Sequence, residues 1–310
     1  MWPDLDKLLD DNQIDEFDKI FSEKLTAFID SEKLDDAFKS SFKRVYLPLS
    51  KWVDNKHSST TLIIGINGAQ GSGKSTLSKL LKLILEQLFN KSVLHLSIDD
   101  FYLSREQRFN NANSIHPLLK VRGVPGTHNV DLAIQILDEI KNSTNSTIKL
   151  PIFNKAIDDL QPENQWRNIK QNVDIVLFEG WCVGAKPEAD KSLLKPLNKL
   201  EAIEDADASW RVYVNKQLAG NYRKLFSAID HLIMLKVPDM ESVFEWRNLQ
   251  ENKLRQKSQN SKHIMTAQQI ERFIMYFERI TRQCLKEMPA RADVLLDIDK
   301  EHQITSIIVN

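Results

Sequence analysis

Apolar residues near the start of the chain recur at three- and four-residue steps: Ile14, Phe17, Ile20, Phe21, Leu25 and Phe28. That spacing gathers them on one face of an amphipathic helix. Phe38, Phe42, Val45, Tyr46 and Leu49 predict a second helix, ending before His57. The pattern then changes. Residues 60–66 are a short, continuous apolar run, as expected of a strand buried on both faces of a parallel sheet. Leu77, Leu80, Leu81, Ile84, Leu85 and Leu88 give one side of a helix over 74–90. Further strands are predicted at 93–98, 173–178 and 231–237, a helix at 131–141, and one long helical stretch over 240–286. Residues 293–298 and 303–309 read as a terminal strand pair or a strand plus tail. Strands alternating with helices predict an α/β fold with a parallel sheet. Residues 1–58 then form a helical extension packed on a domain spanning 59–310.

Composition narrows the function classes. The 310 residues are 42% hydrophobic and 27% charged, enough apolar material for a substantial core. Formal net charge is -1, so the chain has no global field to hold a nucleic acid. Its charge bias is local: residues 1–40 carry twelve acids against five lysines, and 201–209 is an acidic loop. That face reads as solvated, and the extension as a packing appendage. Cys182 and Cys284 stand far apart with no partner motif, which suits a reducing compartment. No apolar run reaches the roughly 18 residues of a membrane span. The expectation is a cytoplasmic protein, with nuclear presence compatible, and no evident protein partner.

Glycine is scarce and clustered. Eight of the nine lie in three segments, at 65–73, 123–126 and 180–184. The first contains Gly68-Ala69-Gln70-Gly71-Ser72-Gly73-Lys74-Ser75, a full match to the phosphate-binding loop pattern, followed by Thr76. It follows a predicted strand and opens a predicted helix, the context that gives the motif meaning. Backbone N–H groups of such a loop converge on phosphates, and the helix N-terminus adds positive potential. Lys74 supplies a cation for the β- and γ-phosphates, and the Ser75 hydroxyl suits Mg²⁺. A guanine-reading motif is missing, which favours ATP over GTP.

Asp99 and Asp100 follow the second predicted strand, and Glu179 follows the third. Ligands of open α/β sheets bind outside the carboxyl ends of the strands, so these acids are expected beside the phosphate loop. Phosphoryl transfer uses one carboxylate near the metal and a group that orients the attacking hydroxyl. Asp99 and Glu179 are the candidates; Asp100 is equally well explained as a cap.

Ser97-Ile98-Asp99-Asp100-Phe101-Tyr102, Arg122-Gly123-Val124-Pro125-Gly126-Thr127-His128, Phe178-Glu179-Gly180-Trp181 and Trp246-Arg247-Asn248-Leu249-Gln250-Glu251 occur in this order. Together they resemble the D-glycerate 3-kinase-like P-loop kinases, relatives of uridine kinase, pantothenate kinase and phosphoribulokinase. The match is nearest the fungal branch of probable ATP-dependent kinases and covers roughly residues 55–305. The resemblance implies a P-loop NTPase-type parallel sheet flanked by helices, with a helical lid, and ATP and Mg²⁺ as cofactors. It implies Asp99 as the base, Glu179 at the magnesium site, and 122–128 as the substrate-side loop. It also implies Arg247 on a lid helix approaching the phosphates, with Arg255 a second candidate for that role. Tyr102, Arg122, His128 and Lys155 join Asp99 as the acceptor-side set, with Arg122 and His128 read as loop cations suited to an acidic substrate.

The chain also departs from that family. A usual Tyr-Asp-Lys-Ser segment reads Phe153-Asn154-Lys155-Ala156 here, and the Gly-x-Gly-Asp-Arg run after it is replaced by 157–161. Asn129 stands where an acid is expected. The phosphate machinery is intact while the acceptor side has changed. The leading expectation is therefore a small-molecule kinase acting on a small anionic alcohol such as D-glycerate. A kinase of another alcohol, nucleoside or pantothenate-like, is the second reading, and an ATP-binding regulatory protein the third. Cys182, next to Glu179, would make the site oxidation-sensitive if its thiol were reachable.

Overall fold

The computed structural model describes residues 2–35, 37–142, 147–169, 172–257 and 265–310. Its N-terminal stretch forms α1 (Asp11–Glu32), α2 (Ala37–Ser41) and α3 (Leu47–Lys56), with one turn of π-helix at Phe42–Tyr46. A capping box at Asp10 and Gln13 starts α1, as side-chain acceptors do for orphan first-turn N–H groups. The apolar run becomes β1 (Leu62–Gly68), every residue buried, and the phosphate-loop motif leads into α4 (Lys74–Leu88). Then come β2 (Val93–Ser97), α5 (Arg105–Ser114) and α6 (Val130–Asn142).

Four short strands follow: β3 (Ile148–Leu150), β4 (Phe153–Asn154), β5 (Asp159–Leu160) and β6 (Arg167–Ile169). They pair antiparallel as β3 with β6 and β4 with β5, two small ribbons apart from the main sheet. Next are β7 (Ile175–Gly180), α7 (Lys199–Glu204), α8 (Ser209–Ala219), α9 (Asn221–Phe226) and β8 (His231–Lys236). The chain finishes with α10 (Met240–Lys257), α11 (Ala267–Glu287), β9 (Val294–Ile298) and β10 (Ile304–Val309).

The six-stranded sheet runs β10-β9-β8-β1-β7-β2. All neighbours are parallel except β9 and β10, which form a strand pair, the first of the two sequence-based alternatives for the end of the chain. From β1 the chain moves outward to β2 and returns to β7, then crosses to the other side at β8. The order therefore reverses at β1 and β7, and a crevice opens above their carboxyl ends.

Alternate residues of the strands supply two cores. Ile64, Ile66, Leu177 and Ile233 face α1, α3 and α4, whereas Ile63, Val176, Phe178 and Met234 face α6, α8 and α11. The N-terminal helices thus cover the sheet face that also carries α4. The long helical stretch expected over 240–286 is two helices. Thr266 and Gln269 form a capping box that starts α11, a local signal the apolar periodicity alone does not register.

Candidate active site

The crevice is assembled from three strand ends. After β1 the chain turns through Ala69 to Ser72, where Ser72 N–H donates to Ala69 O at 3.2 Å. Gly73 takes φ 90°, a conformation closed to ordinary side chains, and starts α4 with no side chain capping it. The first-turn N–H groups therefore point into the loop, the arrangement that receives an anion.

The Glu179 carboxylate reaches this turn from β7, whose register sets Glu179 against Ile66. Ser75 Oγ donates to Glu179 Oε1 at 2.8 Å, and His95 Nε2 of β2 lies 3.8 Å from the same oxygen. Among the described residues Glu179 Oε2, which is buried, has no hydrogen-bond partner. Burial opposes charge on Glu179, but His95, Lys74 and Ser75 together hold its carboxyl below the usual range.

Asp99 sits on a 3-10 turn, Ile98–Phe101, fixed by a capping box: Asp99 N–H donates to Ser97 Oγ, and Ser97 N–H to Asp100 Oδ2. Asp100 is thus the cap and Asp99 the outward acid. Tyr102 Oη donates to Asp99 Oδ1 at 2.7 Å and Lys155 Nζ to Oδ2 at 2.7 Å. Burial would raise the Asp99 pKa; Lys155, Tyr102 and Lys74 outweigh it and hold the carboxyl below its ordinary value. Such a group is ionised at neutral pH and accepts a hydrogen bond from a hydroxyl. The charge of Lys74 lowers both carboxyls, so the loop lysine and the two acids share one field.

The loop at 122–128 differs from a flexible, cationic loop. Its residues from Gly123 to His128 are buried. Gly123 N–H donates to Thr127 Oγ1, and Trp181 Nε1 to Gly123 O at 3.0 Å. At φ 131° Gly123 has no room for a side chain, since a Cβ would come within 2.5 Å of the Phe277 ring. His128 stacks on Tyr102 with centroids 4.6 Å apart, and its Nδ1 lies 2.5 Å from Tyr222 Oη. Burial pushes the imidazole down to about 4, against a smaller pull from Asp99. His128 is therefore neutral at pH 7 and supports Tyr102 rather than offering a charge. Arg122 does face the site, over the rings of Tyr102 and Phe153, and pairs with Asp158.

Among the described residues the contacts of Arg247 are with Glu251 and Phe273 and not with the phosphate loop. Arg247 Nη1 lies 2.7 Å from Glu251 Oε2, one turn along α10, and its guanidinium covers the Phe273 ring. A salt partner one helical turn away and an aromatic face beneath explain that orientation. The Arg255 side chain lies outside the described residues. Cys182 is buried, and burial pushes its thiol well up, so oxidation of this site through it is disfavoured.

Comparison with known proteins fixes the family. The model for the phosphoribulokinase/uridine kinase family matches residues 63–195. An uncharacterized kinase of Schizosaccharomyces pombe is 34% identical over 200 residues, which is 62% of this chain and 71% of the relative. The chain belongs to this family. It is an ATP-dependent kinase with the family's α/β fold. A chloroplastic D-glycerate 3-kinase of Arabidopsis thaliana is 27% identical over 297 residues, 88% of this chain and 62% of the relative's length. The solved D-glycerate 3-kinase of Cryptococcus neoformans superposes with a TM-score of 0.68 at 21% identity, over 86% of this chain and 97% of its own, and so shares the fold. Among the described residues no helix is long and apolar enough to cross a membrane.

Several residues around the candidate site carry no signal in the sequence. Arg108, almost wholly buried, donates to Lys120 O and to Asp158 O and Oδ2 at 2.7 to 2.9 Å. Asn67 Nδ2 ties the end of β1 to the carbonyls of Trp181 and Val183. His302 Nε2 donates to Gly71 O at 2.8 Å while its ring packs on Trp246. Each joins segments far apart in the chain, so no local spacing signals it.

Proposed function

We propose that this kinase transfers the γ-phosphate of ATP to a hydroxyl of a small anionic acceptor, of which D-glycerate is the leading candidate. Gly68 to Thr76 hold the phosphates, with Lys74 supplying charge at the β- and γ-groups. Ser75 and Glu179 suit Mg²⁺: both offer hard oxygen donors, and Glu179 Oε2 is buried without a partner among the described residues. Bound there, the ion supplies positive charge to the phosphates. The acceptor oxygen attacks the γ-phosphorus in line, its proton passes to Asp99, and ADP leaves with the electrons of the broken P–O bond. Tyr102 and Lys155 orient Asp99 and keep it ionised.

One observation carries the choice of an anionic acceptor. Around Asp99 three cations, Arg108, Arg122 and Lys155, meet two carboxylates, Asp99 and Asp158. Arg108 and Arg122 share the single carboxylate of Asp158, so an acid group on the acceptor suits this pair of guanidinium groups. A carboxylate from the protein itself, that of Asp158, already pairs with the Arg122 guanidinium, which is the chemistry a substrate carboxylate would use. The names of relatives that are D-glycerate 3-kinases support the same choice.

The test is ADP release from Mg·ATP with D-glycerate, related sugar acids, and neutral alcohols as acceptors, run beside Asp99→Ala. Turnover with the acids alone, lost in the variant, supports the proposal. Preference for a neutral alcohol or a nucleoside would refute the acceptor class.

A further inference from the structure

The N-terminal helices do more than cover the sheet. A cavity of about 710 Å³ opens beside the phosphate loop. One side is the loop and the first turn of α4, residues 71–77. The second is the end of β9 with the turn at residues 301–304. The third is the corner between α1 and α2, through Lys33, Leu34 and Phe38. Its volume lies within the usual range of small-ligand pockets.

Strand order assigns the occupant. Asp99 and Glu179 come from β2 and β7, on one side of β1, and the cavity is lined by Leu235 of β8 and Ile298 of β9, on the other. Phosphates seated on residues 71–75 thus have the acceptor groups on one flank and this cavity on the opposite flank. The nucleoside end of the same ATP must leave on the flank away from the acceptor. Leu34, Phe38, Leu77 and Ile298 give the cavity apolar surface, and Lys33, Glu301 and Gln303 give it polar groups at the rim. A flat heteroaromatic base with a ribose needs this combination.

The corner is built, not draped. Lys33 adopts a left-handed conformation that ends α1, and Leu34 N–H returns to Ile29 O at 3.0 Å. Glu32 pairs with Lys79 of α4 at 2.8 Å, and Phe38 stacks on Tyr46 with centroids 4.6 Å apart. The corner is therefore fastened to the helix whose first turn receives the phosphates. We infer that Lys33, Leu34 and Phe38 form one wall of the nucleoside pocket, making the N-terminal extension part of the ATP-binding site. This rests on the phosphate-loop reading of nucleotide binding.

Amide hydrogen exchange of the full chain separates the two. Inorganic tripolyphosphate fills only the phosphate loop, whereas ATP also fills the cavity. The expected result is that both slow exchange in the peptide carrying Gly71 to Leu77, and only ATP slows the peptide carrying Lys33, Leu34 and Phe38. Leu34→Trp, which fills the cavity, should weaken ATP about tenfold or more and tripolyphosphate by no more than about twofold. ATP protection confined to the phosphate loop, or a Leu34→Trp protein that binds ATP as tightly as the parent, overturns the inference. Failure of both ligands to protect the loop would overturn the nucleotide reading, and the inference with it. Exchange on the unaltered protein decides the matter even where Leu34→Trp does not fold.

Discussion

Replacing Lys155 by Met tests the electrostatics of the proposed base most directly. In the folded protein burial pushes the Asp99 carboxyl up, and Lys155 is the strongest of the groups that pull it down. The sum leaves Asp99 below its ordinary pKa, so its ionised form persists from neutral pH well into acid and is lost only as pH falls through that lowered value. Lys155→Met leaves burial opposed by Tyr102 and Lys74 alone. The acid limb of kcat/KM must then move to higher pH. A hydrogen bond to a charged group contributes about 1.5–3 kcal/mol, or one to two pH units. The Lys155 side chain is 61% exposed, and screening by water puts the shift near the lower end, about one unit. The assay is ADP release against pH at saturating ATP, for the parent and Lys155→Met, with Tyr102→Phe as a second variant expected to move the limb the same way. Superimposable acid limbs would refute the argument. A uniform loss at every pH, with the limb unmoved, would assign Lys155 to acceptor binding and not to the tuning of Asp99.

Other expectations follow from single contacts. Lys74→Ala should lower kcat by about a hundred- to a thousandfold with the fold intact by circular dichroism, since it removes charge at the transferring phosphate; near-normal turnover would contradict the role given to the loop. Glu179→Gln should raise the Mg²⁺ concentration for half-maximal activity by about ten- to a hundredfold, and an unchanged Mg²⁺ titration would remove Glu179 from the metal site. Arg247→Ala should act mainly on stability, because it leaves the buried Glu251 carboxylate with its Met265 N–H bond but without its charge partner; a loss of about 3 kcal/mol is expected in denaturant melts, recovered in part by Glu251→Gln. Lost turnover with an unchanged melt would instead make Arg247 a phosphate contact.

Much of the framework was legible in the chain. Continuous apolar runs predict the central strands because both faces of a parallel sheet are covered, and the glycine-rich motif lies where a strand hands over to a helix. A topological rule, that strand ends share a crevice, predicts that Asp99 and Glu179 lie together, and both carboxyls do sit in the field of Lys74. His128 was misread as a cation because sequence shows a glycine-flanked histidine and not the Tyr102 and Tyr222 rings that enclose it. Arg108 and Asp158 were missed for a related reason: their pairing spans 50 residues and leaves no local spacing. The amphipathic pattern of the first helices predicts that one face is buried, but not that their corner borders a cavity. Periodicity reports which side of a helix is covered and is silent about what covers it.

The path of the chain between β2 and β7 has a consequence for how such an enzyme diversifies. The phosphate loop follows β1, which is paired on both sides, whereas β2 is an edge strand and everything between it and β7 is an excursion outside the sheet. Lys155, Asp158, Arg122 and Arg108 all ride on that excursion. Mutations there leave the ladder of β1, β7 and β8 unaltered, so on the proposed assignment acceptor preference changes without disturbing the phosphate-binding half. Asn154 and Ala156 fall in this stretch, whereas the loop at 68–75 is hemmed in by two ladders. The architecture works as a fixed motor with an exchangeable tool, and the exchange is confined to one segment of the chain.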